Sequence, residues 1–397
     1  MPTQFHRRQA LRRMVAVLPL GTAACGGGGS APPAAAPPTA PTPYRYQVPS
    51  ALPDGWTVAS LSDAQIETAP IEGLVQRIRE KQAGLRHLDG LLIARHGKLV
   101  LEENFRSALD FTDAWARNQD LGLHALNSVT KSFAATLVGQ AIDDRWLDST
   151  ELRVHDAFAD LQPIGAWSPA KASTRLADWL TMRHGLQWDE LSSSYFESSN
   201  INTRMNAAAS PLRFLLGLPQ AAEPGQVFAY STGISYALGV LVQRATGLAV
   251  ETYLQRRLLQ PLNIGKHTGW SLAGHFHMGS ALYLSLRDMS KLGQLYLDGG
   301  TWNGQRLVSA DWVRQATQQR LQGPGYGYGY QWWMTDFQVQ GRTLASFYAH
   351  GFGGQFIFVL PQLNTVVGLL GSAYNAGDDA LRDARRLLEG DLLPALR

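Results

Sequence analysis

The 397-residue sequence predicts an α+β fold: a mainly antiparallel sheet built from both chain ends, flanked by helices, with a helical lobe inserted between the two halves. Three observations carry that prediction. Residues 91–105, "LLIARHGKLVLEENF", are two β-prone runs around a His-Gly turn, the pattern of a hairpin. Apolar residues then recur at helical spacing from about Lys131 to about Leu259, with "IGAWSPAKAS" and "WDELSSSYFESSNINTR" as irregular interruptions. In the last third "YGYGYQWWM", "TLASFYAH", "QFIFVLP" and "TVVGLLGSA" are strand-like, the last two joined by a "PQLN" turn, and "GDDALRDARRLLEG" reads as a closing amphipathic helix.

From the N-terminus, a basic start "HRRQALRRM", a short apolar stretch "VAVLPL", the small residues "GTAA" and then Cys25 form the order of a secretory signal, assigned to residues 1–24. The apolar stretch is too short to span a bilayer as a helix. Residues 25–48 start with a Gly, Ala and Pro-rich run that has no means of building a core and reads as a tether. The folded domain is placed at 49–397. Its sheet lobe is expected over about 49–125 and 265–397, and its helical lobe over about 126–264.

Composition narrows the function. A 45% hydrophobic chain of this length buries a large core. Of the 35 basic residues, Arg7, Arg8, Arg12 and Arg13 lie in the leader, which leaves 31 against 32 acidic residues, a net of −1. Nothing there points to nucleic acid. Cys25 is the single cysteine, so neither an intrachain disulfide nor a cysteine metal site is available.

The chemistry-bearing stretch is "ALNSVTKSF", with Ser128 and Lys131 three positions apart at a helix start. Phe133, Leu137, Val138, Ala141 and Ile142 follow at helical spacing, so the two side chains can meet on adjacent turns. A cation in a first helical turn opposes the helix dipole, where acidic residues are favoured. If buried, such a lysine loses its proton more easily and can serve as a base for a serine. An ordinary capping serine explains this segment equally well. Ser168 and Lys171 match the same spacing, but Pro169 marks that pair as a plain helix cap.

Two further segments shift the balance toward chemistry. "EPGQVFAYSTG" reads as a turn and a short strand leading into a helix from about Gly233, with Tyr230 at the junction. Tyr230 is either a core aromatic or a phenol whose pKa Lys131 would lower, letting it relay a proton. "AHGFGGQFIFVLP" places three glycines around Phe352; by itself this reads best as a plain tight turn, but its bare backbone also suits close approach to a ligand and an oxyanion donor. His350 beside it is a candidate for substrate contact. Trp188, Tyr195, Tyr328, Tyr330, Trp332 and Trp333 supply either an aromatic pocket wall or, for most of them, core packing, with Tyr195, on a polar loop able to close, the preferred pocket residue. His275 and His277 have metal-like spacing without a further ligand set and are assigned to a polar loop.

"NSVTKSF", "LTMRHGLQWDE", "PGQVFAYSTG", "YLSLRDMSKLGQLYLDGG", "YGYQWW" and "HGFGGQFIFVLP" occur in an order that resembles the serine β-lactamase-like hydrolase superfamily. That group holds class C β-lactamases, family VIII carboxylesterases and 6-aminohexanoate-dimer hydrolases, and the similarity looks closest to the last. The resemblance runs from about Leu88 to the C-terminus. It implies Ser128 as the acylated nucleophile, Lys131 as its base and Tyr230 as proton relay. It also implies that His350, Gly351, Phe352 and Gly353 line the site. Two positions depart from the β-lactamases: Thr232 stands where Tyr-x-Asn has Asn, and His350, Gly351 and Phe352 replace Lys-Thr-Gly, so a fixed cation for a β-lactam carboxylate is missing.

The sequence therefore leads to an exported serine hydrolase acting on small esters or amides through an acyl-enzyme, without a cofactor. A bacterial lipoprotein signal is also resembled, with Cys25 lipidated and the enzyme held on the periplasmic side of a membrane. The rivals are a β-lactamase or penicillin-binding DD-peptidase acting on cell-wall-like amides, and a catalytically silent binding lipoprotein. No sequence feature speaks to oligomeric state.

Overall fold

A computed structural model describes residues 43–161, 168–375 and 378–396, and Pro43–Arg397 form one compact unit. The leader and Cys25 lie outside the described residues. The centre is a nine-stranded sheet. In chain order its strands are β1 (Thr57–Val58), β2 (Leu88–Arg95), β3 (Lys98–Asn104), β4 (Leu321–Gly323), β5 (Tyr326–Tyr328), β6 (Trp333–Val339), β7 (Arg342–Gly351), β8 (Gln355–Leu360) and β9 (Thr365–Gly371). Their spatial order is β1-β3-β2-β9-β8-β7-β6-β5-β4, antiparallel throughout except for the parallel β1–β3 pair. Both chain ends thus build one sheet, joined where β9 pairs with β2.

The expected hairpin is β2–β3, turned by His96 and Gly97 at φ of 54° and 72°. Two consecutive positive φ angles define the turn type whose twist matches two antiparallel strands. The "PQLN" turn is a single 3-10 turn, Pro361–Leu363, ended by Asn364 in the left-handed region. "YGYGYQWWM" is not one strand. It divides into β5 and β6 because the intervening Tyr330 and Trp332 turn into the core below the sheet.

The strand segments look almost continuously apolar because both sheet faces are covered. Along β8, Phe356, Phe358 and Leu360 enter one core while Ile357 and Val359 enter the other. The first face is closed by α1 (Thr68–Arg79), through Ile71, Leu74, Val75 and Ile78, and by α5 (Ala380–Leu387) with the chain end beyond it. The second is closed by α2 (Thr130–Asp143), α3 (Thr232–Thr246) and α4 (Leu286–Leu297). Fully burying one such apolar side chain contributes roughly 1.5–3 kcal/mol. α2 is buried at every position from Thr130 to Ala141, so it is a central helix and not an amphipathic one. Among the described residues no single helix is long and apolar enough to cross a membrane.

One expected element does not form. The stretch before Tyr230 is not a strand: Ala229 N–H bonds to Met182 O at 2.8 Å, but the Ala229 carbonyl is taken by the His184 ring (2.9 Å). A side chain occupies the acceptor a ladder would have used, and helix α3 starts directly after Ser231, whose side chain caps it.

Candidate active site

Ser128 sits in a 3-10 turn, Asn127–Val129, that runs straight into α2. The entry is sharp: Asn127 has φ of 48°, a left-handed conformation that asparagine tolerates better than most residues. Its side chain fixes the bend by donating to Phe352 O at 2.7 Å. This tie brings the glycine turn after β7 beside the serine. Gly351 is required there, since a Cβ would stand 2.2 Å from Leu126 O. Gly353 has φ of 90°, and a Cβ on it would strike the Tyr374 ring.

Lys131, one turn on, is buried, and its Nζ donates to three oxygens: Ser128 Oγ (2.8 Å), Thr232 Oγ1 (3.0 Å) and Gly279 O (2.8 Å). Desolvation lowers its pKa to about 8, against the pull of Glu190, which favours the ammonium. Near neutral pH the amine form is then far more populated than on an exposed lysine. The Ser-x-x-Lys spacing at Ser168 behaves differently. Ser168 Oγ caps its helix by accepting from Lys171 N, and Lys171 Nζ points away to Leu216 O.

Tyr230 faces the same point, with its ring centroid 4.9 Å from Lys131 Nζ. The expected lowering of its pKa is not found. Burial and the nearby Glu190 charge push it well up, and a hydrogen bond with Ser128 opposes them only in part. The phenol is a held proton, not a base.

These groups open onto a cavity of about 1010 Å³. Ser128, Tyr195, Tyr230, His350, Phe352 and Gly353 all line it, and Gly351 lies one residue behind, under the turn. Of the aromatic candidates, Trp333 and Tyr195 reach the cavity, while Trp188, Tyr328, Tyr330 and Trp332 are core. Tyr195 leans on Phe352 at 5.9 Å and donates its hydroxyl to Glu190 (2.8 Å). Its loop does not hang free. Asn200 Nδ2 donates to Glu190 O and Ser193 O, and Thr203 donates to Tyr195 O, so the polar residues that suggested mobility are its anchors. His350 stacks on Phe356 at 4.4 Å, and desolvation lowers it to about 4 despite Asp379, so it is neutral near pH 7.

Two groups escaped sequence reasoning. Glu190 is fully buried and accepts from Trp188 Nε1, Tyr195 Oη, Thr232 N and Thr232 Oγ1. The only sequence signal for it was its place in the "LTMRHGLQWDE" block. The second is Gly279, whose carbonyl receives Lys131. Its N–H bonds to His277 Nδ1 at 3.3 Å, so His277 is not in a polar loop but buried between Trp270 and Tyr236, lowered by desolvation to about 3. His275 instead meets Gln243. Among the described residues no group of three or more His, Cys, Asp or Glu could hold a metal.

A two-faced sheet carrying a serine and a buried lysine at one helix start, under a large cleft, is the architecture of a serine hydrolase. The chain belongs to the Beta-lactamase family, whose model matches residues 74–392. Over 338 residues it is 25% identical to the 6-aminohexanoate-dimer hydrolase of Paenarthrobacter ureafaciens, covering 76% of this chain and 77% of that protein. In fold it is similar to EstCE1, a hydrolase with promiscuous acyltransferase activity (TM-score 0.62, 16% identity, 80% of this chain and 99% of that one). A family VIII carboxylesterase aligns with a TM-score of 0.60 at 15% identity, over 83% of this chain and 99% of that one.

Proposed function

We propose that the protein cleaves small ester or amide bonds through an acyl-enzyme on Ser128. Lys131, as the neutral amine, takes the hydroxyl proton while Oγ bonds to the substrate carbonyl carbon. The N–H groups of Ser128 and of the Phe352–Gly353 turn receive the oxyanion. The proton passes by way of the Tyr230 phenol to the departing alkoxide or amine, as the bond to that group breaks. Water enters by the same route in reverse and releases the acid. The observation that carries this reading is the 2.8 Å contact between Lys131 Nζ and Ser128 Oγ in a buried setting.

The cleft argues for uncharged or cationic substrates over β-lactams. Asp336, Asp378 and Asp379 line it against a single arginine, Arg385; Asp378 is itself paired with Arg86 at 3.7 Å, and Arg385 with Glu389 at 3.0 Å. An anionic carboxylate meets repulsion there and no free cation among these residues. The test is kcat/KM for p-nitrophenyl butyrate beside a chromogenic cephalosporin. The ester is expected to be favoured by about 100-fold or more, since a site without the matching charge discriminates on that scale. A cephalosporin turned over as well as the ester would transfer the assignment to β-lactam chemistry.

The 6-aminohexanoate-dimer hydrolase similarity supports the amide branch, and the carboxylesterase similarity the ester branch. The signal-like order of residues 1–25 supports export with a lipid on Cys25. Cys25→Ser is expected to move the protein from the membrane to the soluble fraction of a bacterial host, without loss of specific activity. Unchanged fractionation would mean that no lipid on Cys25 holds the protein at the membrane.

A further inference from the structure

Lys131 and Ser128 alone do not make a directed base, because an amine can turn its lone pair anywhere. Two of the three Nζ positions are taken by acceptors, Gly279 O and Thr232 Oγ1, and the third faces Ser128 Oγ. A carbonyl can only accept. A threonine hydroxyl can also donate, and a hydroxyl donating to Nζ would occupy the lone pair meant for the serine. Something must hold the Thr232 proton elsewhere.

Glu190 does so: Thr232 Oγ1 donates to Glu190 Oε1 at 2.7 Å, and the Thr232 N–H donates to Oε2 at the same distance. Tyr195 Oη and Trp188 Nε1 fill the remaining sites at 2.8 and 2.9 Å. Four donors and no acceptor around one buried side chain fit an ionised carboxylate, which accepts only.

Resting on the reading of Ser128 as nucleophile, we propose that Glu190 is a positioning residue: by binding the Thr232 proton it makes that hydroxyl a fixed acceptor, so the neutral Lys131 amine presents its lone pair to Ser128. An Asn in the Thr232 position supplies a carbonyl acceptor by itself. A Thr there needs a carboxylate behind it, and the Glu190–Thr232 pair replaces the amide of the Tyr-x-Asn motif.

Glu190 also sets the charge balance at the base. The titratable groups facing Lys131 are Glu190, Tyr230, His277 and His350. The two histidines are lowered and the phenol is raised, so all three are neutral around pH 7 to 8 and Glu190 supplies the one charge among the four. Removing it makes the ammonium easier to deprotonate.

The test is a cycle of Glu190→Gln, Thr232→Val and the double variant, assayed with p-nitrophenyl butyrate across pH. Glu190→Gln is expected to lower the plateau kcat/KM about 10-fold or more, the scale of misdirected general-base catalysis. Its ascending limb moves to lower pH than wild type. In the Thr232→Val background the same substitution costs less than about 2-fold, because the hydroxyl it orients is gone. An unmoved limb, or losses that multiply in the double variant, overturns the proposal. If Glu190→Gln does not fold, Thr232→Ser and Thr232→Val decide. Serine should keep activity within about 3-fold and valine lose about 10-fold or more, and a fully active valine variant overturns the proposal. Acylation of wild-type Ser128, read as an intact-mass adduct, is the separate control. Its absence would fail the nucleophile assignment, not the role of Glu190.

Discussion

Ser128→Ala is expected to reduce turnover of ester and amide substrates to background, while the fold persists. Loss of the nucleophile in a serine hydrolase is on the order of 10⁶-fold in kcat, and what survives comes from the oxyanion donors and binding alone. Serine to alanine removes one oxygen at the cavity floor, with its hydrogen bonds to Lys131 and Tyr230, while the Thr232 and Gly279 acceptors of Lys131 remain. The melting temperature should therefore stay within about 2 °C of wild type. Intact mass is the decisive readout. Wild type mixed with a slow ester should gain one acyl group and the variant none. Retained activity, or an adduct on the variant, would place the nucleophile elsewhere.

Lys131→Met is expected to lower kcat by about 10²–10⁴-fold, the usual worth of a general base, with less effect on KM. Methionine fills similar volume without a proton to exchange. Lys131→Arg separates charge from basicity, since a guanidinium stays protonated and cannot serve as base. Both variants should be nearly inactive. A functional Lys131→Arg enzyme would mean that the cation merely stabilises charge. The pH profile carries the same logic: Lys131 at about 8 is the ammonium below that value and the amine above it, so activity rises through pH 8.

Much of this site could be read in the sequence because its parts are local. A spacing of three positions at a helix start lets Ser128 and Lys131 meet, although the same spacing at Ser168 and Lys171 does not bring those side chains together, and a run of glycines announces that the turn around Phe352 exposes backbone. The sheet was legible for the same reason, since β2–β3 and β8–β9 are hairpins with short turns. What escaped depends on contacts between distant segments. Nothing near Glu190 says that its carboxylate meets Thr232, 42 positions away, or that Gly279, 148 positions from Lys131, receives the ammonium. The direction of the Tyr230 shift was misjudged because a nearby lysine is visible in sequence pattern, whereas full burial beside the Glu190 carboxylate is not. His277 looked polar for a similar reason: its aromatic cage comes from Trp270 and from Tyr236 on another element.

If a buried neutral amine activates Ser128, the rate of Ser128 acylation must follow the deprotonation of Lys131. Single-turnover acylation by p-nitrophenyl butyrate, measured from about pH 6 to 10, should climb with a midpoint near 8 and then level off, following the Lys131 amine. A rate flat across that range, in an enzyme still acylated at Ser128, would contradict it.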